Sequence, residues 1–128
     1  MACIFCKIVT GEIESKLIME SENSIAFLDA FPVAKGHTLV IPKKHFTKIQ
    51  EMPSDLNQKL FDSVHKMINK VDALEGSTLV AVHNGKESGQ EVPHVHVHLI
   101  PRSATDSAGP VHSMFKNKIE CTRCTTFL

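Results

Sequence analysis

The chain has 128 residues, of which 42% are apolar, enough for one packed core at this length. Fourteen Lys and Arg balance fourteen Asp and Glu. A net charge of zero argues against a nucleic-acid-coating surface and a polybasic membrane patch, since both need an excess of positive charge.

Residues 3–9 place Ile4, Phe5, Ile8 and Val9 at helical spacing, and Thr10-Gly11 stops the turn. Residues 17–20 and 24–28 read as short strands around a polar turn, and 37–41 as a third strand ended by Pro42. One long helix is predicted over 55–75. Leu56, Leu60, Val64, Met67, Val71 and Leu74 recur at three- and four-residue steps, with Phe61 and Ile68 widening the core stripe. Ser54 is the expected N-cap and Gly76 the C-cap. A fourth strand over 78–83, a glycine-bearing loop and a fifth strand over 95–100, ended by Pro101, complete the pattern. After Ser103 the chain turns polar. One α+β domain is expected, an antiparallel sheet of about five strands carrying one long helix and a short N-terminal one. Its core spans residues 3–102 and its tail 103–128. No apolar run approaches the roughly 20 residues of a spanning helix, and no basic, apolar leader opens the chain. Neither membrane attachment nor secretion is therefore expected.

Eight His and four Cys stand out in a chain without Trp or Tyr. Residues 94–100 read His-Val-His-Val-His-Leu-Ile. Strand alternation puts His94, His96 and His98 on one face and Val95, Val97 and Leu99 on the other, against the core. Such a row can ligate catalytic zinc with an open coordination position. Alternatively, one neutral imidazole can act as a nucleophile while its neighbours stabilise charge. Asn84, Gly85, Gly89 and Gln90 precede the row, offering amide donors and backbone N–H groups to an anion. That arrangement suits a phosphate, although no Walker-type P-loop is present. Cys3 and Cys6 have the spacing of half a tetrahedral zinc site, as do Cys121 and Cys124.

The row His94-Val95-His96-Val97-His98-Leu99-Ile100 resembles the signature of the histidine triad (HIT) family, matching every position. The likeness extends to Cys3–Ile8, Ala26-Phe27-Leu28-Asp29, the stretch from Gly36 to His45, and Asn84 through Arg102. The resemblance implies the HIT fold and a hydrolase that cleaves at the α-phosphorus of a purine nucleotide such as AMP. His96 would be the nucleophile, forming a nucleotidyl-histidine, and His98 would contact the phosphate. Asn84, Gly89 and Gln90 would serve the phosphate, Asp29 the ribose hydroxyls, and Phe5, Ile8, Phe27 and Leu28 the base. It also implies a structural zinc on Cys3, Cys6, His45 and His94, with no catalytic cofactor. A site using all four cysteines is the alternative. A cytoplasmic homodimer is the further expectation. Glu91 departs from the Ser or Thr common after the Gln. A carboxylate repels phosphate and favours an amine-bearing substrate, hence a nucleoside 5'-phosphoramidate. The alternatives are a dinucleoside polyphosphate hydrolase and a nucleotide-binding regulatory dimer with little turnover. His37, His65, His83 and His112 receive no role.

Overall fold

In the computed structural model, residues 3–116 are described; the second cysteine pair, Cys121 and Cys124, lies outside them. The elements run α1 (Ile4–Thr10), β1 (Leu17–Glu20), β2 (Ser24–Leu28), β3 (Thr38–Pro42), α2 (Ser54–Glu75), β4 (Ser77–Ala81) and β5 (Val97–Arg102). Short 3-10 turns lie at Ile49–Glu51, Lys86–Ser88 and Val111–Met114. The strands form one antiparallel sheet in the order β1-β2-β3-β5-β4. The expected α+β architecture is what the chain adopts. No helix among the described residues is long and apolar enough to cross a membrane.

Alternation divides the core between the two faces of the sheet. Ala26, Val40, Val95, Val97 and Leu99 point to one side, where Leu60, Val64, Met67 and Val71 of α2 cover them. Ile25, Phe27, Leu39 and Ile41 point to the other, where Cys3 and Phe5 of the α1 segment close over them. At about 25 cal/mol per Å² of buried apolar surface, these two layers supply the main driving force of folding. The histidine row thus lies on a face that is itself partly roofed.

Several expectations need correction. Ser54 is the first residue of α2, not its cap. Pro53 holds that place without a side-chain hydrogen bond, and its carbonyl accepts from Asn57 N–H at 3.0 Å. Asp55 in the first turn complements the helix dipole instead. Phe61 and Leu74 are 39% and 55% exposed, so the predicted stripe is too wide. Ser63 takes a sheet-facing position and meets Ser24 Oγ at 2.5 Å. Strand β4 ends at Ala81, short of His83, and β5 starts at Val97 and runs through Pro101. Proline is tolerated there because β3 pairs with β5 only from Thr38↔Leu99 to Val40↔Val97. Beyond Leu99 one flank of β5 has no partner strand, so a missing N–H leaves no ladder bond unmade on that side.

Candidate functional site

Residues 94–96 precede the β5 ladder, and Val95 N–H is held by the Phe46 carbonyl at 2.7 Å. The backbone stays extended enough for alternation to persist. Val95 enters the α2 layer, while His94 and His96 turn to the α1 side and meet the Phe5 ring edge-on, with centroids 5.9 and 5.0 Å away. His94 is fully buried and His96 nearly so.

At the first histidine the chain builds a cradle. The donor atoms of Cys3, Cys6, His45 and His94 all lie within 4.8 Å of one another. Cys3 Sγ is 3.5 Å and Cys6 Sγ 3.6 Å from His94 Nδ1, and His45 Nδ1 is 3.3 Å from Cys6 Sγ and 3.2 Å from His94 Nδ1. A tetrahedron with Zn–S near 2.3 Å and Zn–N near 2.0–2.1 Å has edges of about 3.3–3.8 Å, so these separations suit one. His94 Nε2 donates to the Pro42 carbonyl at 2.8 Å, which leaves Nδ1 as the bare nitrogen aimed at the thiols. Burial lowers the His94 pKa to about 4, keeping the ring neutral. Burial also pushes the Cys6 thiol up, reinforced by Cys3 beside it. The four form a candidate metal site.

The other two histidines face a more open region, and backbone groups fix their protons. His96 Nδ1 lies 2.7 Å from the His94 carbonyl. A carbonyl only accepts, so Nδ1 carries the hydrogen and Nε2 the free lone pair. Val33 N–H donates to His37 Nδ1 at 3.2 Å, which puts the His37 proton on Nε2. That proton points at His98 Nδ1, 2.9 Å away, with Asp29 Oδ2 at 3.5 Å. His98 then carries its own proton on Nε2. Burial is the leading reason that the pKa values of His96, His98 and His37 lie below the ordinary range, that of His98 down at about 4. Neighbouring imidazoles push His96 and His98 further the same way. At neutral pH all three rings are neutral.

The remaining residues singled out by sequence take varied places. Asp29 is half-buried, with Oδ1 accepting from Phe31 N–H at 2.9 Å. Asn84 is exposed and turned toward the 3-10 turn at Ile49–Glu51. Its Oδ1 accepts from Ile49 N–H and its Nδ2 donates to Gln50 Oε1. Gln90 accepts from Gly85 N–H and gives both amide hydrogens away, to the carbonyls of Thr47 and Val92. It pins the loop. Gly89 ends the Lys86–Ser88 turn at φ +104°, a conformation that favours glycine. Phe5 and Phe27 are buried in the α1-side layer, while Ile8 and Leu28 are half-buried at its margin. Glu91 is exposed.

Two histidines without a role in the sequence reading belong to this region. His37 is only 3% exposed and bonded to His98. The His83 ring stands 5.4 Å from that of His98. Register explains both. Leu39 and Ala81 flank His98 on β3 and β4, so residues 37 and 83 are its diagonal neighbours on the same face. The parity of His37 with buried Leu39 and Ile41 was a signal available in the sequence. For His83 it was obscured because the chain leaves β4 two residues earlier.

A row of neutral imidazoles beside a four-ligand cradle, on a five-stranded sheet with helices on both faces, defines a class, and comparison with known proteins agrees. The HIT domain model matches residues 10–105. An uncharacterised HIT-like protein of Methanocaldococcus jannaschii is 47% identical over 106 residues, covering 81% of each chain. Adenosine 5'-monophosphoramidase of Saccharomyces cerevisiae is 44% identical over 102 residues, 79% of this chain and 63% of its own length. The crystal structure of a zinc-bound histidine triad family protein from Mycobacterium smegmatis superposes with a TM-score of 0.77 at 33% identity, covering 85% of this chain and 81% of that one. The chain belongs to the HIT family.

Proposed function

We propose that the protein is a nucleoside 5'-phosphoramidate hydrolase acting on AMP-like substrates through a nucleotidyl-histidine on His96. The observation that carries this reading is the His96 tautomer. With Nδ1–H committed to the His94 carbonyl at 2.7 Å, Nε2 keeps its lone pair for attack on phosphorus. Nε2 bonds to the α-phosphorus as the P–N bond breaks, and the amine leaves with a proton taken from solvent. Water then cleaves the His96–phosphorus bond and returns a proton to solvent, so that one water is consumed and AMP and an amine are released. His98, whose proton sits on Nε2, donates a hydrogen bond to the phosphoryl group. His37 acts through His98 and is a positioning residue. Asp29 accepts from the ribose hydroxyls with Oδ2, and Ile8 and Leu28 flank the base with Phe5 and Phe27 behind them. Asn84, Gly89 and Gln90 shape the loop that closes the phosphate side. The relative named as an adenosine 5'-monophosphoramidase supports the choice of substrate.

Cys3, Cys6, His45 and His94 would hold a structural zinc that ties the N-terminal helix to β5. The lone pair of His94 Nδ1, directed by the Pro42 carbonyl, and the tetrahedral spacing of the donors support this. The deciding experiment compares kcat/KM on adenosine 5'-phosphoramidate and on a diadenosine polyphosphate. The phosphoramidate is expected to be preferred at least tenfold; the reverse order sinks the proposal in favour of a dinucleoside polyphosphate hydrolase.

A further inference from the structure

The four donors of the cradle differ in their chemistry. Imidazoles resist mild oxidants, whereas a thiolate that solvent can reach is nucleophilic and readily oxidised. The two sulfurs also share one turn of chain. Cys3 is the N-cap of α1, Cys6 lies three residues on, and Cys6 N–H donates to Cys3 Sγ at 3.4 Å. The sulfurs lie within 4.8 Å of each other, and neither is in a disulfide. Helix rise and radius put Cα atoms three residues apart at about 5 Å, inside the roughly 4.4–6.8 Å that a disulfide spans. Rotation of the two side chains can therefore close the bond. Cys3 is only 7% exposed, but Cys6 is half-buried, so a small oxidant meets Cys6 first. A metal held by all four donors ties stretches far apart in sequence, with Cys6 39 residues from His45 and Cys3 91 from His94. A Cys3–Cys6 bond closes within one turn and reaches neither histidine. Oxidation thus exchanges a long-range tie for a local one, and a cross-link stabilises more as the loop it closes lengthens. Phe5 hangs on that tie. It sits between the two cysteines and meets Phe27, His94 and His96 edge-on.

We propose that Cys3 and Cys6 are a peroxide-responsive modification site: hydrogen peroxide closes them to a disulfide, which gives up the metal and frees α1 from β5. This rests on the structural zinc proposed above. Zinc held there keeps both sulfurs as thiolates. Cys6 Sγ attacks one peroxide oxygen; an S–O bond forms, the O–O bond breaks and hydroxide leaves. Cys3 Sγ then attacks the Cys6 sulfur, forming the S–S bond and expelling a second hydroxide. The two sulfurs give up two electrons in all, peroxide takes them, and solvent protons turn both hydroxides to water. The disulfide has no thiolate left to offer, and His45 and His94 by themselves make only half of a tetrahedral set. A thiol reductant, with zinc present, reverses the change. The cost of oxidation falls on the stability of the fold, because His96 and His98 take no part in it.

The test uses the zinc-loaded full chain carrying Cys121→Ser and Cys124→Ser, so that the second pair contributes no thiol. The parent chain is run alongside, with peptide mapping to tell the pairs apart. Bound zinc is counted first. Hydrogen peroxide is then added in slight excess. Zinc captured by a chromophoric chelator, the disulfide found by mapping, and the melting temperature are followed. Close to one zinc should be freed per chain as a Cys3–Cys6 disulfide forms, with melting lowered by about 10 °C or more. Dithiothreitol with added zinc should restore all three. Zinc and both thiols surviving the oxidant overturn the proposal. So does oxidation of Cys6 straight to sulfinic acid, a disulfide between two chains, or a Cys3–Cys6 disulfide with unchanged melting. A chain that takes up no zinc, or does so only with Cys121 and Cys124 present, fails the metal reading before any oxidant is added, and the proposal falls with it.

Discussion

His94 and His96 sit two residues apart on one face of one strand approach, and each gives a ring proton to a backbone carbonyl, yet they do so through opposite nitrogens. His94 uses Nε2 toward Pro42, and its bare Nδ1 joins two sulfurs and the His45 nitrogen around a single point. His96 uses Nδ1 toward the His94 carbonyl, and its bare Nε2 has no described partner. The residue type is the same; the carbonyl that accepts the ring N–H decides whether the lone pair is available to a metal or to an electrophile. Burial keeps both rings neutral, as either task requires.

The largest expected effect breaks the nucleophile half. His96→Ala should reduce kcat on adenosine 5'-phosphoramidate by at least about 10³-fold while AMP still binds, as read by steady-state rates and calorimetry. Substantial turnover in that variant would remove the covalent route. The ligand half should respond in stability rather than in chemistry. Purified parent protein should contain close to one zinc per chain, and Cys6→Ser should lose it and melt about 10 °C or more lower. Its turnover while folded should stay within a few-fold of the parent. A metal-free parent with unchanged melting after chelation would count against the clip, and a folded, metal-stripped enzyme without activity would favour catalytic zinc.

A smaller effect should follow from loosening the orientation of His98. His37→Phe keeps a buried ring but removes the bond to His98 Nδ1. About a tenfold fall in kcat with little change in KM is expected, and an unchanged kcat would deny His37 a positioning role. The smallest concerns pH. The His98 pKa is lowered to about 4 in the fold, against an ordinary value of about 6.5. An unfolded chain therefore takes up this proton first. The stability it contributes is complete above about pH 6.5 and is lost as pH falls toward about 4. Urea midpoints should decline across that window, and the decline should be shallower in His98→Gln; parallel curves would exclude His98 as a contributor.

Much of this was legible in one dimension because it depends on local spacing. The period-two row fixed which residues face α2, and the three-and-four spacing located α2 with its buried Leu60, Val64, Met67 and Val71. Periodicity could not set the width of the stripe. Phe61 is left 39% exposed, while Ser63 takes a buried position and meets Ser24. Nor could the Cys-x-x-C spacing alone choose its partners, since either a second thiol pair or two imidazoles would complete a tetrahedron.

By itself the sequence determined the elements, their buried faces and the row of imidazoles, since side-chain direction follows backbone period within a single segment. Tertiary structure decided what each imidazole does. The pairing of β3 and β4 with β5 placed His37 and His83 beside His98. The fold of the loop spent the amides of Asn84 and Gln90 on other groups of the chain. Hydrogen-bond partners and protonation depend on groups distant in the chain, and only folding brings those groups within 3 Å or so of one another.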